Sequence, residues 1–121
     1  MGPKEMTSMT GGQAVVEALA KNGIHMVFGI IGGHNLMIYE ALAKTDQLKH
    51  IGVKQEINGA LMAEVYGRLT GKPGVCISTA GPGVTNCLTG VAEAFSSCSP
   101  MIHIGAAVPS NSKRGDLHAL D

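Results

Sequence analysis

Three short stretches carry residue types able to do chemistry: Gly29-Ile30-Ile31-Gly32-Gly33-His34, the acid Glu56, and Gly81-Pro82-Gly83-Val84-Thr85-Asn86. Glycine-rich turns ahead of helices let backbone N–H groups and the helix N-terminus come close to a ligand. A carboxyl group offers proton transfer, and burial raises its proton affinity. Taken singly, each has an ordinary explanation. An acid in a helix's first turn is most often a solvated charge that complements the macrodipole, and an asparagine at a helix start usually satisfies local backbone. The Gly81 turn also departs from a dinucleotide fingerprint, because Asn86 stands where the third glycine belongs and no acid ends the strand beginning at Met101. Gly71-Lys72-Pro73 is no P-loop, lacking the spaced glycine and the hydroxyl after the lysine.

The elements that must position these residues alternate along the chain. Thr10 is a candidate N-cap for a helix to about Asn22, with Val15, Val16, Leu19 and Ala20 on one face and Gly23 as the stop. His25 to Phe28 reads as a strand, and the Gly29 turn leads into a helix from Asn35 to Lys44 that offers Leu36, Ile38, Tyr39 and Leu42 for burial. His50 to Val53 is a second strand, and Glu56 opens a helix to about Thr70. Gly71 to Gly74 launches the strand Val75 to Ser78, and the Gly81 turn starts a helix through Ser97. Pro100 precedes the last strand, Met101 to Ile104. Short apolar strands without polar alternation, separated by helices, imply an α/β domain: a mainly parallel sheet with helices on both faces. In such sheets ligands gather at the C-terminal ends of strands. All three chemical stretches follow strands, and their convergence says more than any one of them.

Composition bounds the rest. The 121 residues fit one compact domain, with 45% hydrophobic and 15% charged residues, enough apolar material for a core. Net charge is zero and aromatic content is 3%, so a nucleic-acid partner lacks both a basic footprint and stacking rings. No apolar run is long enough for a membrane span. Cys76, Cys87 and Cys98 make an odd set without a C-x-x-C pair; they read as small buried residues in a reducing, cytoplasmic compartment rather than metal ligands or disulfides. The five histidines are dispersed and give no metal-ligand spacing. Residues 1–8 read as a flexible N-terminus, partly an expression appendage, and 9–121 as the domain. Met6 to Gln13 is similar to an expression epitope tag, yet it runs smoothly into the first helix and reads as native. Arg114-Gly115-Asp116 carries no adhesion reading without signs of secretion. The sheet pattern breaks off after Ala107, which points to a truncated domain or a separately encoded half-enzyme.

The motifs in series resemble one family. The span from Lys54-Gln55-Glu56-Ile57-Asn58-Gly59-Ala60 to Leu69-Thr70-Gly71-Lys72-Pro73-Gly74-Val75-Cys76 is similar to the thiamine-diphosphate enzymes of the acetolactate synthase, pyruvate decarboxylase and 2-hydroxyacyl-CoA lyase superfamily. There a strand ends in an Arg-His-Glu-like sequence before an alanine-rich helix. Thr79-Ala80-Gly81-Pro82-Gly83-Val84-Thr85-Asn86 is similar to that family's Ser-Gly-Pro-Gly-Ala-Thr-Asn turn, and Val27-Phe28-Gly29-Ile30-Ile31-Gly32-Gly33 to its first strand and turn. Ser99-Pro100-Met101-Ile102 and Gly115-Asp116-Leu117-His118-Ala119-Leu120-Asp121 continue the likeness, in register from about Met9 to Asp121. It identifies an incomplete N-terminal pyrimidine-binding domain. Departures are Ile31 for a proline, His118 for a glutamine, and Lys54-Gln55 for Arg-His. Gly33-His34 and Arg114-Gly115 lean toward the acetolactate-synthase-like and lyase branches.

The resemblance implies that Glu56 meets a ring nitrogen of the cofactor's aminopyrimidine and shares a proton with it, which activates the thiazolium carbon. Gly81, Pro82, Gly83 and Asn86 would contact the cofactor; Gly32, Gly33, His34 and His118 would face the substrate, a 2-oxo acid or related acyl donor. The family holds Mg²⁺ and the diphosphate through a Gly-Asp-Gly…Asn segment on a second domain, which this sequence lacks. The expected partners are therefore that diphosphate-binding domain, on the same or a partner chain, and further copies in a homo-oligomer. The chain alone would be inactive. The alternatives are a small nucleotide-binding or regulatory α/β domain using the Gly81 turn, and a non-catalytic scaffold.

Overall fold

Thr10 starts the first helix by a reciprocal cap. Gln13 N–H donates to Thr10 Oγ1 at 3.2 Å, while Thr10 N–H donates to Gln13 Oε1 at 2.8 Å. Thr10 to Gln13, the end of the tag-like stretch, are thus part of the helix and its cap, where two otherwise orphaned donors are satisfied. The computed structural model describes residues 8–112. Its elements run α1 (Gly11–Lys21), β1 (Met26–Gly29), α2 (Leu36–Leu42), β2 (Lys49–Gly52), α3 (Glu56–Thr70), β3 (Gly74–Ser78), α4 (Pro82–Ser96) and β4 (Met101–Gly105).

All strand pairs are parallel, in the order β2-β1-β3-β4. Side chains alternate between the two faces of a strand, which divides the core in two. Val27, Val75 and Ile77 pack with Val16 and Leu19 of α1 and Tyr39 and Leu42 of α2. Phe28 and Cys76 pack on the other face with Ala60 and Ala63 of α3 and Cys87 of α4. β3 is buried along its whole length, which explains its unbroken apolar run. The fold is the expected α/β sandwich with helices on both faces.

Some expectations are corrected. The helix expected from Asn35 to Lys44 is shorter, with a 3₁₀ turn at Gly33–Asn35 ahead of α2. The cause is Asn35, whose buried side chain turns back onto the preceding loop instead of pointing outward. Leu36, offered for burial, is 43% exposed, whereas Tyr39 and Leu42 are buried as expected and Ala41 joins them on the core face. β2 lies one residue earlier than expected, since Val53 leaves the strand and its N–H caps the Gly29 carbonyl at 3.2 Å. Cys98 is exposed, at φ 52° in the turn after α4, whereas Cys76 and Cys87 are buried.

One buried charge braces the α3–α4 layer. Glu64 is 2% exposed and accepts from Ser99 Oγ at 2.7 Å, Ser97 Oγ at 3.1 Å and Arg68 Nε at 2.8 Å. Arg68 reaches on to Glu93 at 3.0 Å. The Ser99 hydroxyl first, then Arg68 and Ser97, hold the Glu64 carboxyl below its usual range against the opposing effect of burial. This network ties α3 to the turn between α4 and β4. Among the described residues no helix is long and apolar enough to cross a membrane.

Candidate functional site

The chain leaves β1 toward β2 on one side and returns to place β3 on the other. That reversal opens a crevice at the C-terminal ends of β1 and β3. Three connections meet at this edge: the loop after β1, the step from β2 into α3, and the turn from β3 into α4.

The loop after β1 is held from within. Asn35 is 1% exposed; its Oδ1 accepts from Gly32 N–H at 2.7 Å and its Nδ2 donates to the Ile30 carbonyl at 3.0 Å. Behind Gly29 stands Tyr39, whose buried hydroxyl is pushed to a higher pKa chiefly by desolvation. His50 sets its ring edge on Tyr39 with centroids 4.8 Å apart, and its Nε2 lies 3.2 Å from the Gly29 carbonyl. Gly33 and His34 are exposed in the 3₁₀ turn.

Glu56 is the first residue of α3 and half-buried. The turn from β3 bends at Gly81, φ 67°, and Pro82 occupies the first helical position of α4, where its missing N–H costs nothing. One turn on, Asn86 Nδ2 donates to Glu56 Oε2 at 3.1 Å. The other carboxylate oxygen faces Gly83: a Cβ there would lie 3.8 Å from Glu56 Oε1 and 2.8 Å from Thr79 Cγ2. A Cβ on Gly32 would likewise come within 2.6 Å of the threonine's own Cβ. Thr79 is therefore the spacer on which both glycine turns rest, and neither turn admits a side chain there.

A cleft of about 370 Å³ opens above this arrangement, lined by Gln55, Glu56, Ile57, Thr85, Asn86 and Thr89. Glu56, Gly83 and Asn86 thus come together as one unit. Gly81 lines a separate hollow of about 320 Å³ beside Val84 and His103, and Pro82 is exposed at the helix start. Gly32 joins the unit through Thr79. His118 lies outside the described residues. Among those described, no group of three or more His, Cys, Asp or Glu side chains could hold a metal ion.

Three residues at this edge escaped the sequence reading. Thr79 was visible only as part of a motif, although its position directly after a buried strand is where ligand-facing residues concentrate. Asn35 left a weaker signal, a polar residue just before an apolar helix row. Cys87 left none, because a buried cysteine reads like any small apolar residue; its thiol donates to the Glu56 carbonyl across 3.7 Å.

The cleft can hold a flat, polar-edged heteroaromatic group. It offers a carboxylate with one oxygen fixed by an amide donor, beside the polar side chains of Gln55, Thr85 and Thr89. An aminopyrimidine fits those residues, since its ring nitrogen can share a proton with Glu56.

Comparisons with known proteins give the family. The model of the thiamine pyrophosphate enzyme N-terminal TPP-binding domain matches residues 9–121. The chain is 40% identical over 104 residues to an acetolactate synthase of Arthrospira platensis, covering 84% of this chain and 18% of that protein. It is 41% identical over 102 residues to a probable acetolactate synthase large subunit of Methanocaldococcus jannaschii, covering 84% and 17%. With the acetolactate synthase large subunit of Buchnera aphidicola it shares 42% identity over 106 residues, covering 88% and 19%. The chain spans less than a fifth of the length of these relatives. By the family match over nearly its whole length, and by the acid-and-glycine cleft at the strand ends, this chain belongs to the thiamine pyrophosphate enzymes as their N-terminal cofactor-binding domain.

Proposed function

We propose that this domain holds the aminopyrimidine of thiamine diphosphate on Glu56, within a larger enzyme that decarboxylates, ligates or cleaves 2-oxo acids or related acyl donors. The observation that carries the reading is the Glu56 carboxylate, held by Asn86 at 3.1 Å and lining, with Asn86, the cleft at the strand ends. The cofactor supplies a stabilised carbanion and electron sink. This chain's contribution is narrower. Glu56 holds or moves a proton at the ring nitrogen, Asn86 fixes the carboxylate that does so, and the Gly81 to Gly83 turn lets backbone approach the ring. Gly32, Gly33 and His34, after β1, would face the substrate, and the resemblance gives His118 the same role.

Mg²⁺ and the diphosphate belong to a second domain, on the same or a partner chain, and the domain alone is inactive. The relatives' greater length supports that division, as does an unpartnered apolar face. Met62, Val65 and Leu69 of α3 and Leu88 and Phe95 of α4 are 40%, 46%, 79%, 53% and 86% exposed, large apolar side chains of the kind that mark an interaction surface when they adjoin. Packing of this face against a second copy would give the homo-oligomer. Three free cysteines suit a reducing, cytoplasmic compartment. A nucleotide-binding role for the Gly81 turn is disfavoured by the same geometry, because the Glu56 carboxylate stands near the α4 N-terminus where a phosphate would have to sit.

The test is Glu56→Gln in the assembled enzyme, read as exchange of the thiazolium proton by NMR. Glutamine keeps a hydrogen bond but cannot take part in proton exchange, so the rate should fall by about 10²–10⁴. Unchanged exchange with cofactor still bound removes Glu56 from catalysis. Failure to find a Gly-Asp-Gly…Asn domain in the complete reading frame or its neighbour would sink the enzyme reading altogether.

A further inference from the structure

Behind the Glu56 end of the cleft, two thiols face each other inside the molecule. Cys76 projects from β3 into the layer under α3 and α4, and Cys87 projects from α4; their Sγ atoms are 3.8 Å apart and both residues are fully buried. With both thiols protonated the donors run in one direction, from Cys76 to Cys87 and from Cys87 to the Glu56 backbone carbonyl at 3.7 Å. Alongside, Ser78 Oγ and His103 Nε2 are 2.9 Å apart, and His103 is the register partner of Cys76 across β3 and β4.

We propose that Cys76 and Cys87 form a peroxide-reactive dithiol, and that closing it to a disulfide disturbs the contact between Glu56 and Asn86. This goes beyond the cofactor reading and does not depend on it. The attacking sulfur is Cys87. The hydrogen bond from Cys76, with His103 and Ser78 beside it, favours its thiolate against the cost of burial, while the same pairing pushes the Cys76 thiol up. The Cys87 thiolate attacks one oxygen of hydrogen peroxide; a sulfur–oxygen bond forms, the oxygen–oxygen bond breaks and hydroxide leaves. The Cys76 sulfur then displaces hydroxide from the sulfenic acid and the sulfur–sulfur bond forms. Two electrons pass from the sulfurs to peroxide, and the two thiol protons leave in two molecules of water.

Geometry gives the consequence. A disulfide bond is about 2 Å long, so the present 3.8 Å gap must close by almost half. Cys87 directly follows Asn86 on α4, and the Glu56 carbonyl loses its thiol donor when the bond forms. Because both sulfurs are buried, reaction requires local opening of the first turns of α4 and is slower than at the exposed Cys98.

The experiment uses the full chain, reduced, with Cys98 first blocked by iodoacetamide under native conditions. Hydrogen peroxide is then added to the folded protein. The expected result is an intact mass lower by two hydrogens, a mapped peptide joining Cys76 to Cys87, and restoration by dithiothreitol. The Asn86 side-chain amide and the Glu56 backbone amide should shift together in nitrogen-15 NMR spectra. In Cys76→Ser the linkage must vanish and a sulfenic acid on Cys87 should be trapped by a dione probe. If that variant fails to fold, the wild-type mapping decides alone. No linkage in the folded chain, or linkage only in denaturant, overturns the proposal. A disulfide that leaves the Glu56 and Asn86 signals unmoved overturns the coupling to the cleft.

Discussion

Asn35 offers the sharpest test of how the site is held. The substitution Asn35→Leu keeps the side-chain volume and removes both polar atoms. It leaves Gly32 N–H without its 2.7 Å acceptor and the Ile30 carbonyl without its 3.0 Å donor. An unsatisfied buried group costs about 1–3 kcal/mol, so two would cost about 2–6 kcal/mol. Ile30 is only half-buried, and a carbonyl that water can reach recovers part of its loss, which leaves about 2–4 kcal/mol. For a domain of this size that is a fall in Tm of roughly 10 °C. Urea denaturation followed by circular dichroism measures the global loss. Hydrogen exchange separates local from global effects: the Gly32 amide should lose its protection while those of β3 fall only with overall stability. A variant with native stability and a still-protected Gly32 amide would refute the assignment of Asn35 as the internal brace of this loop.

Two further outcomes follow from the packing. Glu64 has a depressed folded pKa, so its stabilising effect is present above the ordinary value of 4.5 and is lost as pH falls through the folded value. Glu64→Gln should therefore be less stable than the wild type at neutral pH, and the difference should shrink in strong acid. A gap in denaturation midpoint that is constant with pH would contradict the ionised network with Ser99 and Arg68. The double substitution Leu69→Glu, Phe95→Glu replaces two side chains that are 79% and 86% exposed. It should leave the domain's own folding stability nearly unchanged, within about 0.5 kcal/mol, and abolish self-association in analytical ultracentrifugation. Persistent association would place the interface elsewhere.

Much of this protein is local in character and could be read directly from its residues. The unbroken apolar runs at Val27-Phe28 and Val75 to Ile77 marked strands covered on both faces, because a period-2 element buried twice shows no polar alternation. Thr10, Gly71 and Pro82 marked helix ends through backbone chemistry that depends only on near neighbours. Glu56 was legible as an acid at a helix start, and its motif neighbours raised it above the usual solvated charge. The pairings between distant residues emerged only from the folded arrangement. Asn86 meets Glu56 across 30 positions, Thr79 supports both Gly32 and Gly83, and Cys76 faces Cys87. Likewise, nothing near Glu64 announces Ser97 and Ser99. Periodicity records which face of an element is buried. Which atoms meet there depends on strand register and on how closely α3 and α4 approach, and both are set by packing of the whole domain.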